Sequence, residues 1–143
     1  MFHRIILAGH LGVDPMLRYT VHGQAVTSFS VATNRYWTDA HGQPHEETVW
    51  IRVSTWGRLA EICNQYLRKG RPVLCEGRLT VDPDTGGPRL WKGADGIWRA
   101  SYEMTATEVR FLGRRDGADE AEVDALAEAF PLDLGDDLGF GSE

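Results

Sequence analysis

Cysteine, long apolar stretches and metal-binding motifs are scarce or missing in this sequence. The two cysteines, Cys63 and Cys75, have no C-x-x-C spacing and no nearby paired histidine, so we expect small buried thiols and no disulfide or metal site. No stretch approaches the roughly 20 apolar residues that cross a bilayer. Residues 1–12 lack a cationic start, a long apolar run and a small-residue cleavage site, which predicts a cytoplasmic protein without a membrane partner.

Sequence motifs of catalysis are also missing. Gly9 and Gly12 lack the lysine and the spacing of a phosphate-binding loop, and the adjacent Glu46 and Glu47 would point apart on a strand. The five histidines form neither an H-E-x-x-H pattern nor a set with C-x-x-C partners; they are His3, His10, His22, His41 and His45. We therefore expect no enzymatic activity, no cofactor and no metal.

Basic side chains are absent from the last part of the chain. Residues 116–143 contain 10 acidic and no basic residues, a net charge of −10. Residues 1–115 contain all 15 basic residues and 11 acidic ones, a net charge of +4. The basic body suits a polyanion, whereas the acidic tail suits a different partner or competes for the body's own basic surface.

Short runs rich in apolar and β-branched residues predict five strands, at residues 4–11, 24–34, 47–56, 71–79 and 100–112. The clearest is 47–56, whose apolar and polar faces alternate. Helical spacing from Leu59 to Leu67 predicts one helix of about three turns between the third and fourth strands, with Gly70 as its C′ residue. This order is that of an OB-fold, so we expect an all-β, five-stranded OB-fold barrel over residues 1–113. Residues 114–143 form the acidic tail, which we expect to be largely disordered, with a brief helix possible at 121–130.

An extended hairpin is expected between the fourth and fifth strands. Turn residues lie at 82–88 and again at 93–96. If the second turn is a four-residue loop, Trp91 and Trp98 face each other across two short strands.

The third strand carries aromatic and cationic residues on one face. Its Val49, Ile51 and Val53 face is the natural buried one, which turns the opposite face to solvent with two tryptophans around an arginine. Rings that stack bases and cations that meet phosphates are what a single-strand site needs. The alternative is that the helix, the hairpin or a subunit interface covers these tryptophans. Every tryptophan has a cation within two residues, so we expect stacking by Trp37, Trp50, Trp56, Trp91 and Trp98 and phosphate contacts by Arg35, Arg52, Arg58, Arg78, Lys92 and Arg99.

Four segments together resemble the bacterial single-stranded DNA-binding protein (SSB) family. The stretch TVWIRVSTWGRLAEICNQYLRKG (48–70) resembles its strand–helix core, and IILAGHLGVDPMLRY (5–19), SFSVATNRYW (28–37) and VLCEGRL (73–79) resemble other strands. The resemblance implies a nucleoid-associated homotetramer that binds and protects single-stranded DNA without sequence preference in replication, recombination and repair. It assigns base stacking to Trp37, Trp50, Trp56 and Trp91, whereas Trp98 has no counterpart.

The end of the tail resembles the acidic tip through which this family docks on other genome-maintenance proteins. The resembling residues are Asp136, Asp137, Leu138 and Phe140, with Gly139 where proline is usual and three residues following the phenylalanine. Two other functions stay open from the sequence. One is a related OB-fold module that binds RNA or assists a primosome, and the other is a nuclease on the same scaffold, for which no clustered acid or histidine set is present.

Overall fold

The computed structural model describes residues 1–113, which form seven strands and one helix. In chain order these are β1 (Ile5–Leu11), β2 (Met16–Tyr19), β3 (Ala25–Thr38), β4 (Pro44–Trp56), α1 (Gly57–Tyr66), β5 (Pro72–Leu79), β6 (Arg89–Lys92) and β7 (Trp98–Phe111). The tail expectations for residues 114–143, including the brief helix and the docking residues, lie outside the described residues.

Five of the strands close into a barrel. Their order is β1-β5-β7-β4-β3, and a further pairing of β3 with β1 completes the circle. The β4–β7 pair is parallel and the other pairs are antiparallel. With α1 between the third and fourth barrel strands, this confirms the predicted OB-fold. The short strands lie outside the circle, β2 along β3 and β6 along β7.

The core follows from the alternation of side chains along each barrel strand. Val31, Val53, Val73 and Met104 come from four different strands and are completely buried. Leu67, directly after α1, closes the core from the helix side. Burial of such apolar surface is the main source of the barrel's stability.

Two buried threonines have hydrogen-bonded hydroxyl groups, one joining the barrel to the helix and the other joining two barrel strands. The Thr27 hydroxyl donates to the Ala60 carbonyl oxygen at 2.6 Å, and the Thr55 hydroxyl donates to the Thr27 carbonyl oxygen at 3.0 Å. Both cysteines are buried and free, as predicted. Burial raises the pKa of the Cys63 thiol and raises that of Cys75 to about 12, so both are unreactive at neutral pH.

The helix ends earlier than the sequence suggests. Leu67 follows the last helical residue with an extended backbone (φ −81°, ψ 146°), so the expectation that Gly70 is the C′ residue is wrong. Gly70 has a φ of +85° inside the next turn, where the Arg71 amide donates to the Arg68 carbonyl oxygen. Gly70 is the third residue of this four-residue turn, a position that needs a positive φ in a type II turn, and this explains the glycine.

Three hairpin loops share one geometry. In residues 21–23, 40–42 and 94–96, a glycine with φ of +76° to +80° ends a three-residue loop closed by two backbone hydrogen bonds. This is a turn followed by a left-handed residue, a common hairpin connection. The loop between β3 and β4 lies beyond the barrel because both strands extend further than predicted.

The same loop geometry corrects the predicted tryptophan pair. Residues 94–96 form a three-residue loop, not a four-residue one, so the register moves by one position. Trp91 lies opposite Arg99, and Trp98 lies opposite Lys92. Because successive residues on a strand point to opposite faces, Trp91 and Trp98 lie on opposite sides of the hairpin. The predicted facing pair is therefore wrong.

Within residues 1–113, no helix has the length and apolar character that a membrane span requires. The same residues contain no group of three or more histidine, cysteine, aspartate or glutamate side chains arranged to hold a metal ion.

Candidate nucleic-acid interface

A groove of about 560 Å³ runs between the outer surface of the barrel and the base of the β6–β7 hairpin. This volume lies within the range of roughly 300–1,000 Å³ typical of ligand sites. The residues that line it come from β3, β4, β6 and β7; they are Ser30, Trp50, Arg52, Arg89, Trp91, Ala100, Ser101, Tyr102 and Glu103.

Trp50 forms the barrel side of the groove. It lies on the outward face of β4, with 52% of its surface exposed, whereas Val53 on the inward face is fully buried. One edge of its ring rests on Gly12: a Cβ atom there would lie 2.4 Å from Trp50 Cζ3. Gly12 therefore leaves the space that the indole ring occupies.

Trp91 forms the hairpin side of the groove, and two contacts hold its ring. Its Nε1–H donates to the Ser101 hydroxyl oxygen at 2.8 Å, and the Arg99 guanidinium lies 5.5 Å from the ring centroid. Arg99 in turn donates two hydrogen bonds to Asp95, at 3.0 and 2.6 Å. These bonds hold the pKa of the Asp95 carboxyl below its usual range.

The charged side chains of the groove are Arg52, Arg89 and Glu103. Arg52 is exposed, and within residues 1–113 no carboxylate oxygen lies within 4.0 Å of its guanidinium. The nearest ion-pair contact of Glu103 is Arg89 Nε, 3.7 Å from Glu103 Oε2. The exposed cation of Arg52 is suited to bind a phosphate. The half-exposed rings of Trp50 and Trp91 are suited to stack on bases.

Trp37 lies at a second place, near the tip of the β3–β4 hairpin. His45 is directly opposite it in the strand register and stacks on its ring at 5.3 Å, while Arg35 lies 4.7 Å from the ring centroid. His45 Nε2 also contacts Asp39 Oδ2 at 2.7 Å. This contact and the backbone amide of Gln43 lower the pKa of the Asp39 carboxyl. The tip therefore presents an aromatic ring beside an arginine.

The remaining predicted residues lie apart from the groove. Trp56 is half-buried at the end of β4, directly before α1, and Arg58 is exposed on α1. Arg78 lies on β5 opposite Thr105 of β7. Trp98 is 66% exposed on the outer side of the hairpin, with Lys92 Nζ 5.9 Å from its ring centroid.

The groove is therefore lined by only some of the predicted site residues, together with residues that the sequence analysis did not predict. From the predicted set it contains Trp50, Arg52 and Trp91. Sequence reasoning missed Arg89, Tyr102 and Glu103, among others. Of these three, only Arg89 had a signal in the sequence, because it is a cation two residues before Trp91. Tyr102 and Glu103 reach the groove through the parallel pairing of β4 with β7.

Comparison with known proteins gives one consistent result. The profile of the single-strand binding protein family matches residues 2–112. The Single-stranded DNA-binding protein of Neisseria meningitidis serogroup A is 43% identical over 114 residues, 80% of this chain and 62% of that protein. Single-stranded DNA-binding protein 1 of Chlorobaculum tepidum is 40% identical over 115 residues, 80% of this chain and 67% of that protein. The match thus spans less than two thirds of the Neisseria protein's length.

Solved structures agree with the sequence comparison. The Plasmodium falciparum SSB chain, solved in complex with single-stranded DNA, superposes with a TM-score of 0.65 at 26% identity, covering 79% of this chain and 97% of that one. A deletion mutant of the Thermus aquaticus single-stranded DNA-binding protein gives a TM-score of 0.61 at 29% identity, covering 78% of this chain and 51% of that one.

Proposed function

We propose, from the premise that this chain belongs to the single-strand binding protein family, that it binds single-stranded DNA of any sequence. The observation that carries the proposal is the groove, in which Trp50 and Trp91 stand on opposite walls with Arg52 beside them. Every base has a face that stacks on an aromatic ring, so such a site accepts many sequences. Its affinity comes from stacking and from phosphate contacts.

The DNA path that we propose extends beyond the groove. Trp37 with Arg35 at one hairpin tip, and Trp98 with Lys92 on the outer side of the other, each place a cation next to an exposed or half-exposed ring. These pairs support further stacking contacts along a strand that crosses the barrel. Trp56, Arg58, Arg78 and Arg99 complete the proposed set.

We also propose that the chain assembles as a homotetramer and acts in DNA replication, recombination and repair in the nucleoid-associated cytoplasm. Apolar residues on the outer surface of β1 and β5 support self-association: Ile6 is 64% exposed on β1, and the β1–β5 register places Ala8 beside Leu74. The acidic tail, with Asp136, Asp137, Leu138 and Phe140, is the proposed docking segment for genome-maintenance proteins.

Tryptophan fluorescence during titration with oligo-dT tests the function directly. Binding should quench the fluorescence, and Trp50→Ala should weaken the affinity about 5- to 150-fold, because a stacked base contributes roughly 1–3 kcal/mol. Ile51→Val, on the inward face of the same strand, is the matched control. It should cost about 0.5–1.5 kcal/mol of stability and leave the affinity unchanged. Equal affinities of Trp50→Ala and the wild type would refute the proposed site.

Two further assays test the alternatives. Competition between DNA and RNA strands of equal length should favour DNA, and preferential displacement by RNA would point to an RNA-binding module. Incubation of a labelled single strand with Mg²⁺ should leave its length unchanged, and shortening would reveal a nuclease.

A further inference from the structure

Glu103 is a nearly buried carboxylate without a hydrogen-bond donor. Only 11% of its side chain is exposed, and Arg89 Nε at 3.7 Å is too distant for a hydrogen bond. Within residues 1–113, no other side chain or amide donates to its carboxylate oxygens. Its oxygens are not among the buried unpartnered polar atoms of residues 1–113, so they remain in contact with the solvent of the groove. The Glu103 carboxylate therefore has unused acceptor capacity, and it lines the groove.

The surroundings of Glu103 indicate which donor fits. The parallel register places Arg52 of β4 beside Glu103 of β7, so a positive and a negative side chain lie next to each other at the groove. Trp50 and Trp91 line the same groove. A nucleotide stacked on either ring would meet the arginine with its phosphate, whereas the carboxylate would repel the phosphate. The part of the nucleotide that suits Glu103 is a base edge with an N–H group.

We propose that Glu103 accepts a hydrogen bond from the exocyclic amino group of a base in the groove. At this position the groove then favours cytosine over thymine. This inference rests on the proposed single-stranded DNA binding. Cytosine carries a donor, its N4 amino group, at the place where thymine carries the O4 acceptor, and a carboxylate attracts the first and repels the second. Stacking on tryptophan tolerates both pyrimidines, so the carboxylate biases one position of an otherwise permissive site.

The test compares oligo-dC with oligo-dT of equal length, roughly 8 nucleotides to match one OB-fold. The measured quantity is the ratio of the two dissociation constants, Kd(dT)/Kd(dC), in the wild type, Glu103→Met and Glu103→Gln. Methionine preserves the volume but accepts no strong hydrogen bond, so the ratio should fall about fivefold, the equivalent of one net hydrogen bond. The neutral Gln side chain should lower the ratio less, because it can still accept through its carbonyl oxygen.

The ratio isolates base recognition from general electrostatics. Removing a negative charge from the groove should tighten binding to both oligonucleotides, and that common effect cancels in the ratio. Glu108→Gln is the matched control: Glu108 lies on the same strand, pairs with Arg110 and does not line the groove. Its ratio should equal that of the wild type.

Two negative results have separate meanings. A ratio unchanged in both Glu103 variants, with both proteins folded by melting temperature, would overturn the base-edge contact while leaving DNA binding intact. Failure of the wild type to bind either oligonucleotide would overturn the proposed function itself.

Discussion

The contact between Gly12 and Trp50 gives the sharpest prediction about the groove. The substitution Gly12→Ala adds one methyl group, which would lie 2.4 Å from Trp50 Cζ3 and 2.7 Å from Cη2. Carbon atoms pack at about 3.5–4.0 Å, so the ring must move by about 1 Å or more. The φ of Gly12 lies outside the left-handed region, and the three atoms nearest to the added methyl group all belong to this ring, so the methyl group acts first on the indole.

The expected loss of affinity has a defined upper limit. Gly12→Ala should weaken oligo-dT binding, but by no more than Trp50→Ala, whose effect is about 5- to 150-fold because a stacked base contributes roughly 1–3 kcal/mol. In the Trp50→Ala background the methyl group meets no ring, so Gly12→Ala should leave the affinity unchanged. A double-mutant cycle by fluorescence anisotropy with a labelled oligonucleotide measures this coupling.

Melting temperatures of the same variants measure the coupling between Gly12 and Trp50 a second time, through stability. In the wild type, overpacking should cost about 1–3 kcal/mol of stability. In the Trp50→Ala background the sign should reverse, because replacing glycine by alanine restricts the unfolded chain and stabilises by about 0.4–1 kcal/mol. Gly87→Ala, where an added Cβ would make only an ordinary contact with Thr85 at 3.5 Å, is the control. An equal loss of affinity in both backgrounds would refute the proposed link through Trp50.

Three other measurements test the electrostatics. The logarithm of the binding constant should fall linearly as the logarithm of salt concentration rises, because bound cations replace counterions on the phosphates; a flat response would contradict phosphate contacts. Removing residues 116–143, which carry a net charge of −10, should strengthen binding at low salt and have less effect at high salt; weaker binding would argue against competition by the tail. Asp95 has a lowered pKa because Arg99 hydrogen-bonds to it, so its contribution to the hairpin is complete above the usual pKa of 3.8 and is lost as pH falls through the lowered value. The Trp91 indole resonance should shift in that acid range and should not do so in Asp95→Asn.

The barrel could be predicted because its signals are local. The alternation in residues 47–56 assigned Val53 to the core and Trp50 to the surface, and both assignments are confirmed. The change to helical spacing after Trp56 placed the helix, and the order of elements then restricted the fold to one family of small barrels. Strand lengths were less predictable, because the outer part of β3 and β4 is polar and pairs without entering the core.

The groove could not be predicted in the same way, because it is assembled across strands that are distant in sequence. Glu103 lies next to Arg52 only through the parallel β4–β7 pairing. Whether Trp91 or Trp98 faces the groove depends on a backbone angle, the positive φ of Gly96, which decides between a three-residue and a four-residue loop. Neither composition nor periodicity contains that information.

The three-residue loop at 94–96 also constrains how this chain can evolve. A residue at position 96 that disfavours a positive φ would favour a four-residue loop over 93–96, which would shift the β6–β7 register by one step. Residues on β6 would then face new partners, and Trp91 would lie opposite Trp98 instead of Arg99. One substitution in the loop could thus exchange a cation–aromatic pair for an aromatic–aromatic pair without altering any side chain of the two strands. Relatives with the same two strands but another residue in place of Gly96 are therefore expected to present different chemistry to the same DNA strand, and the loop type deserves as much weight as the strand residues when their hairpins are aligned.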